Sequence, residues 1–123
     1  MENEKEKFKK EFKRRLYEFT LTLIEFIDKL PRDNTSRRLG DQLLRSGTSV
    51  IGNFVEGKSA SSRRDFINYY TISLKSANET KLWLSLLKDS KRARPDEVEE
   101  LLREMNEISR ILAASILTLK KRR

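Results

Sequence analysis

Residues 8–31, FKKEFKRRLYEFTLTLIEFIDKLP, decide the architecture. Phe8, Phe12, Leu16, Phe19, Leu23, Phe26 with Ile27, and Leu30 recur at steps of three or four, the period of one face of an α-helix. At 100° per residue they form a stripe about 100° wide, which suits a bundle helix facing its core. Pro31 ends the run, because it lacks an N–H and its ring clashes with the preceding turn. Tyr17, Leu21 and Ile24 fall on nearly the opposite side. One core accounts for the first stripe. The second needs another neighbour, either a further helix of the same chain or a second subunit.

Working outward, three breaks at 31–36 (PRDNTS), 57–62 (GKSASS) and 90–95 (SKRARP) divide the chain into four segments, each with helical apolar spacing. The expected helices are 4–30, 36–56, 63–90 and 96–121, forming one domain over 1–123. This predicts an all-α, antiparallel up-and-down four-helix bundle. The third segment opens with the cap signal Ser62-Arg63-Arg64-Asp65, followed by Phe66, Tyr70, Leu74, Ala77 and Leu84 along one face. The fourth places Pro95 at a first helical position, with Asp96, Glu97, Glu99 and Glu100 at the positive end of the dipole. Val98, Leu101, Met105, Ile108, Leu112, Ile116 and Leu119 form its stripe. Ile111, Ala114 and Leu117 make its second half apolar almost all round.

All four glycines fall in the second segment. Gly40, Gly47 and Gly52 lie inside the expected helix, each costing about 1 kcal/mol relative to Ala. Gly40 and Gly47 sit near the centre of the apolar face made by Leu39, Leu43, Leu44, Val50, Ile51 and Phe54, which points to close helix–helix approach. Gly57 reads as the left-handed residue that ends the helix. A phosphate-cradling loop does not fit, since Gly57-Lys58-Ser59 lacks the upstream Gly and the strand. The opposite side carries Arg45, Ser49, Asn53 and Glu56. On the third helix Ser76 and Glu79 share a stripe with Tyr69, Ile72, Trp83 and Leu87, so the carboxylate needs donors or a proton. A polar network between helices 2 and 3, setting register rather than performing chemistry, is the expected solution.

The 123 residues include no Cys and no His, and 27 Lys+Arg against 19 Asp+Glu give +8, with pI ≈ 9.9. That excludes disulfides, Cys/His zinc sites and Cys- or His-centred catalysis. A di-iron carboxylate bundle would need Glu-x-x-His, and a thin bundle offers no sugar cleft for paired Glu. We therefore expect no catalytic residues, no metal and no cofactor. No apolar run spans a bilayer and the N-terminus does not resemble a signal peptide, so no membrane role and a cytoplasmic location are expected. The basic surplus fits a polyanionic partner.

The segment 45–57, RSGTSVIGNFVEG, together with the basic Ser-containing loop from Lys58 to Arg64, Phe66, and Ser76-Ala77-Asn78-Glu79, resembles the signature of the four-helix-bundle proteins encoded by intervening sequences in bacterial 23S ribosomal RNA genes. That family shows Arg-Ser…Ser-Ile…Asn-Ile-Ala-Glu-Gly, then Phe, then Ser-x-x-Glu. Here Val50-Ile51-Gly52 replaces Ile-Gly-Ala, Phe54-Val55 replaces Ile-Ala, and Thr80 stands where Leu is common. The resemblance implies a ring-like homopentamer with a basic surface. It also implies a fold like that of the accessory variability determinant of diversity-generating retroelements, which partners a reverse transcriptase and nucleic acid.

The function expected is non-enzymatic, charge- and shape-led binding of RNA or DNA by a homo-oligomer. The alternative is a protein-interaction scaffold or accessory subunit for a reverse transcriptase or ribonucleoprotein. Candidate phosphate contacts are Arg14 and Arg15 with their neighbours Lys9, Lys10 and Lys13, Arg37 and Arg38, Lys58, Arg63 and Arg64, and the C-terminal Lys120, Lys121, Arg122 and Arg123. No base-reading module is recognisable, and Tyr69, Tyr70 and Trp83 read as core or interface.

Overall fold

Each helix starts where a side chain can occupy its first free N–H groups. The computed structural model describes residues 1–121 and contains α1 (Glu4–Asp28), α2 (Asn34–Lys58), α3 (Arg63–Asp89) and α4 (Pro95–Lys121). Asn3 Oδ1 accepts from the Glu6 N–H at 2.8 Å, Asp33 Oδ1 from the Ser36 N–H at 2.9 Å, and Ser62 Oγ from the Asp65 N–H at 3.1 Å. These are N-caps of the usual kind. At α4 Pro95 has no N–H to satisfy, and Asp96 and Glu97 occupy the first turn. The α1 helix stops at Asp28, earlier than the apolar pattern alone indicates, because Leu30 precedes a proline and is pushed out of helical geometry.

The end of α2 corrects the reading of Gly57. No glycine has positive φ, and α2 runs through Gly57 to Lys58. A Cβ at Gly57 would lie 3.1 Å from Tyr70 Cε1 and 3.3 Å from Tyr69 Cβ, so the missing side chain admits α3. The left-handed residue is Lys91 (φ 63°), after α3. Arg92 N–H donates to Leu87 O at 2.9 Å and Lys91 N–H to Lys88 O at 3.0 Å, the paired bonds of a Schellman closure.

Gly57 meets Tyr70, Ser49 meets Ser76 and Ser46 meets Thr80, so rising numbers on α2 pair with falling numbers on α3. The neighbours are antiparallel, and the chain is a four-helix bundle with no strands among the described residues. Phe12, Leu16, Phe19, Leu23 and Phe26 of α1 enter a core with Leu43, Val50 and Phe54, with Tyr70, Ala77, Leu84 and Leu87, and with the α4 stripe from Val98 to Ile116. Gly47 is where α1 and α2 touch, since any Cβ there would overlap the Leu23 side chain; Gly52 faces open space.

Two expectations about burial change. Phe8, at the head of the α1 stripe, is 47% exposed, because it borders an open cavity between α1, α3 and α4 rather than the packed core. Phe66, Leu74 and Leu119 are only partly buried. The second stripe of α1 stays largely uncovered among the described residues: Tyr17, Leu21 and Ile24 are 58%, 48% and 38% exposed. Among the described residues no helix is long and apolar enough to cross a membrane.

Candidate nucleic-acid interface

The tightest seam in the bundle joins α2 to α3, and small residues make it so. Ser46, Ser49, Asn53 and Gly57 on α2 face Ser73, Ser76, Ala77 and Thr80 on α3. Backbones that approach this closely leave room for small side chains, most of them hydroxyls. Ser49 Oγ and Ser76 Oγ lie 2.7 Å apart, and Asn53 Nδ2 donates to the Ser49 hydroxyl and carbonyl at 2.9 Å each. Deeper in, Ser73 Oγ donates to Val50 O at 2.7 Å, and Thr80 Oγ1 lies 2.9 Å from Ser46 Oγ, both pairs fully buried. Glu79 closes the outer edge. Its carboxylate takes Arg45 and the Trp83 indole N–H (3.1 Å), while Arg45 also donates to Gln42 Oε1 at 2.8 Å. Glu56 does not join them. It is exposed, outside the hydrogen-bonded set of the seam. The hydroxyls of Ser46, Ser49, Ser73, Ser76 and Thr80 each have a hydrogen-bond partner within the seam.

The basic residues named from sequence do not form one patch. Arg15 is held by Glu104 of α4 through two bonds, 2.7 and 2.8 Å. Its guanidinium is pushed above its ordinary pKa by that bonding, against a smaller opposing effect of burial. Arg14 pairs with Glu18 at 3.3 Å. Arg37 and Arg38 lie at the bundle end that holds the start of α2, beside Trp83 and Gln42. Lys58, Arg63, Arg64, Lys120 and Lys121 are exposed at the other end, which also holds the start of α1. Arg122 and Arg123 lie outside the described residues.

The separation has a simple measure. The middle residues of the four helices, Leu16, Ser46, Ser76 and Ile108, are uncharged and divide the described chain into two halves. The half comprising 1–15, 47–75 and 109–121 has 14 Lys+Arg and 6 Asp+Glu, a net +8. The half comprising 17–45 and 77–107 has 11 and 13, a net −2. All of the positive surplus is therefore at one end of the bundle.

Two concave features were not anticipated. Between α1 and α4 lies a groove of about 310 Å³ lined by Glu18, Glu25, Glu97, Glu100 and Glu104, with Arg15 and Lys29 across it. Glu97, Glu100 and Glu104 share one helix face by spacing, a signal that their value at the helix start obscured. At the basic end, Phe8, Phe66 and Tyr70 border an apolar cavity of about 480 Å³ between α1, α3 and α4. The Tyr70 phenol there is pushed up to about 12 by burial and stays neutral. No group of three or more Asp and Glu among the described residues is placed to hold a metal ion.

A crystal structure of a protein of unknown function from the S23 ribosomal protein family of Bacteroides thetaiotaomicron has a similar fold, with a TM-score of 0.82 and 33% identity over 88% of this chain and 96% of that one. No curated protein matches the chain. The profile of the family described as 23S rRNA-intervening sequence protein matches residues 8–114, taking in all three motif elements around 45–79 and most of all four helices. The chain therefore belongs to the 23S rRNA-intervening sequence protein family.

Proposed function

We propose that this protein is a non-enzymatic nucleic-acid-binding subunit that assembles with copies of itself, as a ring-like pentamer, and presents its basic end to RNA or DNA. The polarised charge carries this reading. A net +8 gathered at one end attracts a phosphate backbone far better than the same charge spread evenly. The self-assembly rests on exposed apolar residues along the outer side of the α1–α2 pair. Tyr17, Leu21 and Ile24 are there on α1. Leu44 and Val55 join them on α2, since helical rotation puts both beside Gly40 and Gly47 on the side away from α3.

The test compares two charge-reversal sets in the intact protein. Lys58→Glu with Arg64→Glu acts at the basic end, and Arg37→Glu with Arg38→Glu at the other. Binding of structured RNA and duplex DNA is measured across a salt series. The first set weakens binding and flattens the dependence of log K on log salt by about 0.7–0.9 per lost phosphate contact. The second set leaves that slope nearly unchanged. Equal effects from the two sets, or no binding at low salt, overturn the proposal. Light scattering of Leu21→Glu with Leu44→Glu tests assembly, with a fall in mass expected.

The acidic α1–α4 groove favours a second reading, in which the same subunit serves as a scaffold for a basic protein segment such as one on a reverse transcriptase or ribonucleoprotein. Glu100→Lys would abolish capture of such a partner while sparing nucleic-acid affinity.

A further inference from the structure

The bundle's aromatic residues form a chain that leads out of the core. Phe54 packs on Phe12 with centroids 5.1 Å apart and on Tyr70 at 5.3 Å; Tyr70 packs on Phe66 at 4.5 Å, and Phe12 on Phe8 at 6.0 Å. Both branches end at the apolar cavity of about 480 Å³, within the size range of small-molecule sites. Phe8 is 47% exposed on its rim. Lys5 and Lys9 stand at the same rim, Lys9 Nζ lying 4.8 Å from the Phe66 ring centroid. The Thr118 side chain, also on the lining, makes no hydrogen bond with any described residue. A half-exposed Phe8 ring, flanking cations and a hydroxyl without a partner among the described residues, all at the basic end, match the parts of a nucleotide: a planar base, its phosphates and its polar edge.

We propose that this cavity accepts an unstacked nucleobase from a single-stranded segment, with Phe8 as the stacking surface, Phe66 as the opposite wall, and Lys5 and Lys9 on the adjoining phosphates. The inference rests on the nucleic-acid-binding reading above and adds to it a preference for single strands. A paired base cannot present its face to a side chain without leaving the stack, whereas a base in a loop or tail can. Stacking on an aromatic face tolerates any base, so the preference is for strandedness rather than sequence.

The test uses the full chain and fluorescently labelled 20-nucleotide single strands, either oligouridylate or an abasic strand of the same length and phosphate count. The intact strand binds about 5- to 100-fold more tightly than the abasic one. Phe8→Ala removes that difference and leaves the salt slope unaltered. Phe8→Leu, which keeps apolar bulk without the ring, also removes it, and circular dichroism shows both variants helical. Phe66→Leu gives the same result from the other side of the cavity.

A wild-type protein that binds both strands equally overturns the stacking site. So does discrimination that survives in both Phe8 variants. In either case the wider reading stands if Lys58→Glu with Arg64→Glu still weakens binding. Binding of neither strand nor structured RNA defeats both together. Saturable binding of oleate or phosphatidylglycerol vesicles that depends on Phe8, with no base dependence, assigns the cavity to an acyl chain and overturns the proposal.

Discussion

The α2–α3 seam and the α1–α4 groove lie on different sides of one bundle and solve opposite packing problems. At the seam, Gly57, Ser46, Ser49, Ser73, Ala77 and Thr80 are so small that the helices draw together and hydroxyls are satisfied by one another or by carbonyls. At the groove, long glutamates and Arg15 line the space between the helices and leave an open concavity of about 310 Å³. The seam is specified by shape, because buried backbones cannot slide without orphaning hydroxyls. The groove is specified by charge, which tolerates changes of a few ångströms.

Several substitutions would break or sharpen that contrast. The largest effect is expected for Gly57→Leu, which drives a branched chain into Tyr70 and the Tyr69 Cβ and costs about 3 kcal/mol in urea unfolding. The matching enlargement across the bundle, Thr22→Leu on the groove wall, changes stability by less than about 0.5 kcal/mol. Equal losses would show that the groove is as tightly specified as the seam. Thr80→Val comes next. It strips the fully buried hydroxyl that serves Ser46 and the Ser76 carbonyl, and loses about 1–2 kcal/mol. Smaller again are the two ion pairs. A double-mutant cycle on Arg15 and Glu104 gives about 1 kcal/mol, and one on the more exposed Arg45 and Glu79 about half of that, both shrinking in salt.

The smallest effect concerns Asp33. Its carboxylate accepts from both the N–H and the hydroxyl of Ser36, and Arg92 Nε lies 3.6 Å away. These hold its pKa below the ordinary value, led by the backbone bond to Ser36. A lowered folded-state pKa adds stability above the unfolded value, and that share is lost as pH falls through the folded one. Asp33→Asn keeps a capping oxygen but removes the charge. The variant's melting temperature should fall less than the wild type's between pH 5 and pH 2.

The four helices were legible because their signals are local. Apolar steps of three and four, Pro31, Pro95 and the Ser62 cap each act within a turn or two of chain. Ser49, Asn53, Ser76 and Glu79 were legible as polar residues at spacings that bring them to neighbouring helices. Glu56 belongs to the same periodic set, and only its exposure in the folded chain separates it. Gly57 was misread for a related reason. A glycine at a helix end is equally the mark of a left-handed cap and of a close neighbour, and the choice depends on Tyr70, thirteen residues away. Lys91 gave no warning of its positive φ, since lysine there is held by the bonds around it rather than by its own preference. The polarity of charge was hidden most deeply. Residues 1–15, 47–75 and 109–121 are distant in sequence and become one end of the molecule only when the helices turn back on each other.

That polarity makes the folded chain an electric dipole. Helices of 25–27 residues are about 40 Å long, so ends of +8 and −2 are separated by more than a Debye length at physiological salt. Under the proposed role, a phosphate backbone at a distance would exert a torque as well as a pull, turning the bundle so that its basic end leads. Orientation before contact raises the productive fraction of encounters. Added salt would slow capture of a nucleic acid by loosening this alignment before it weakens any single contact.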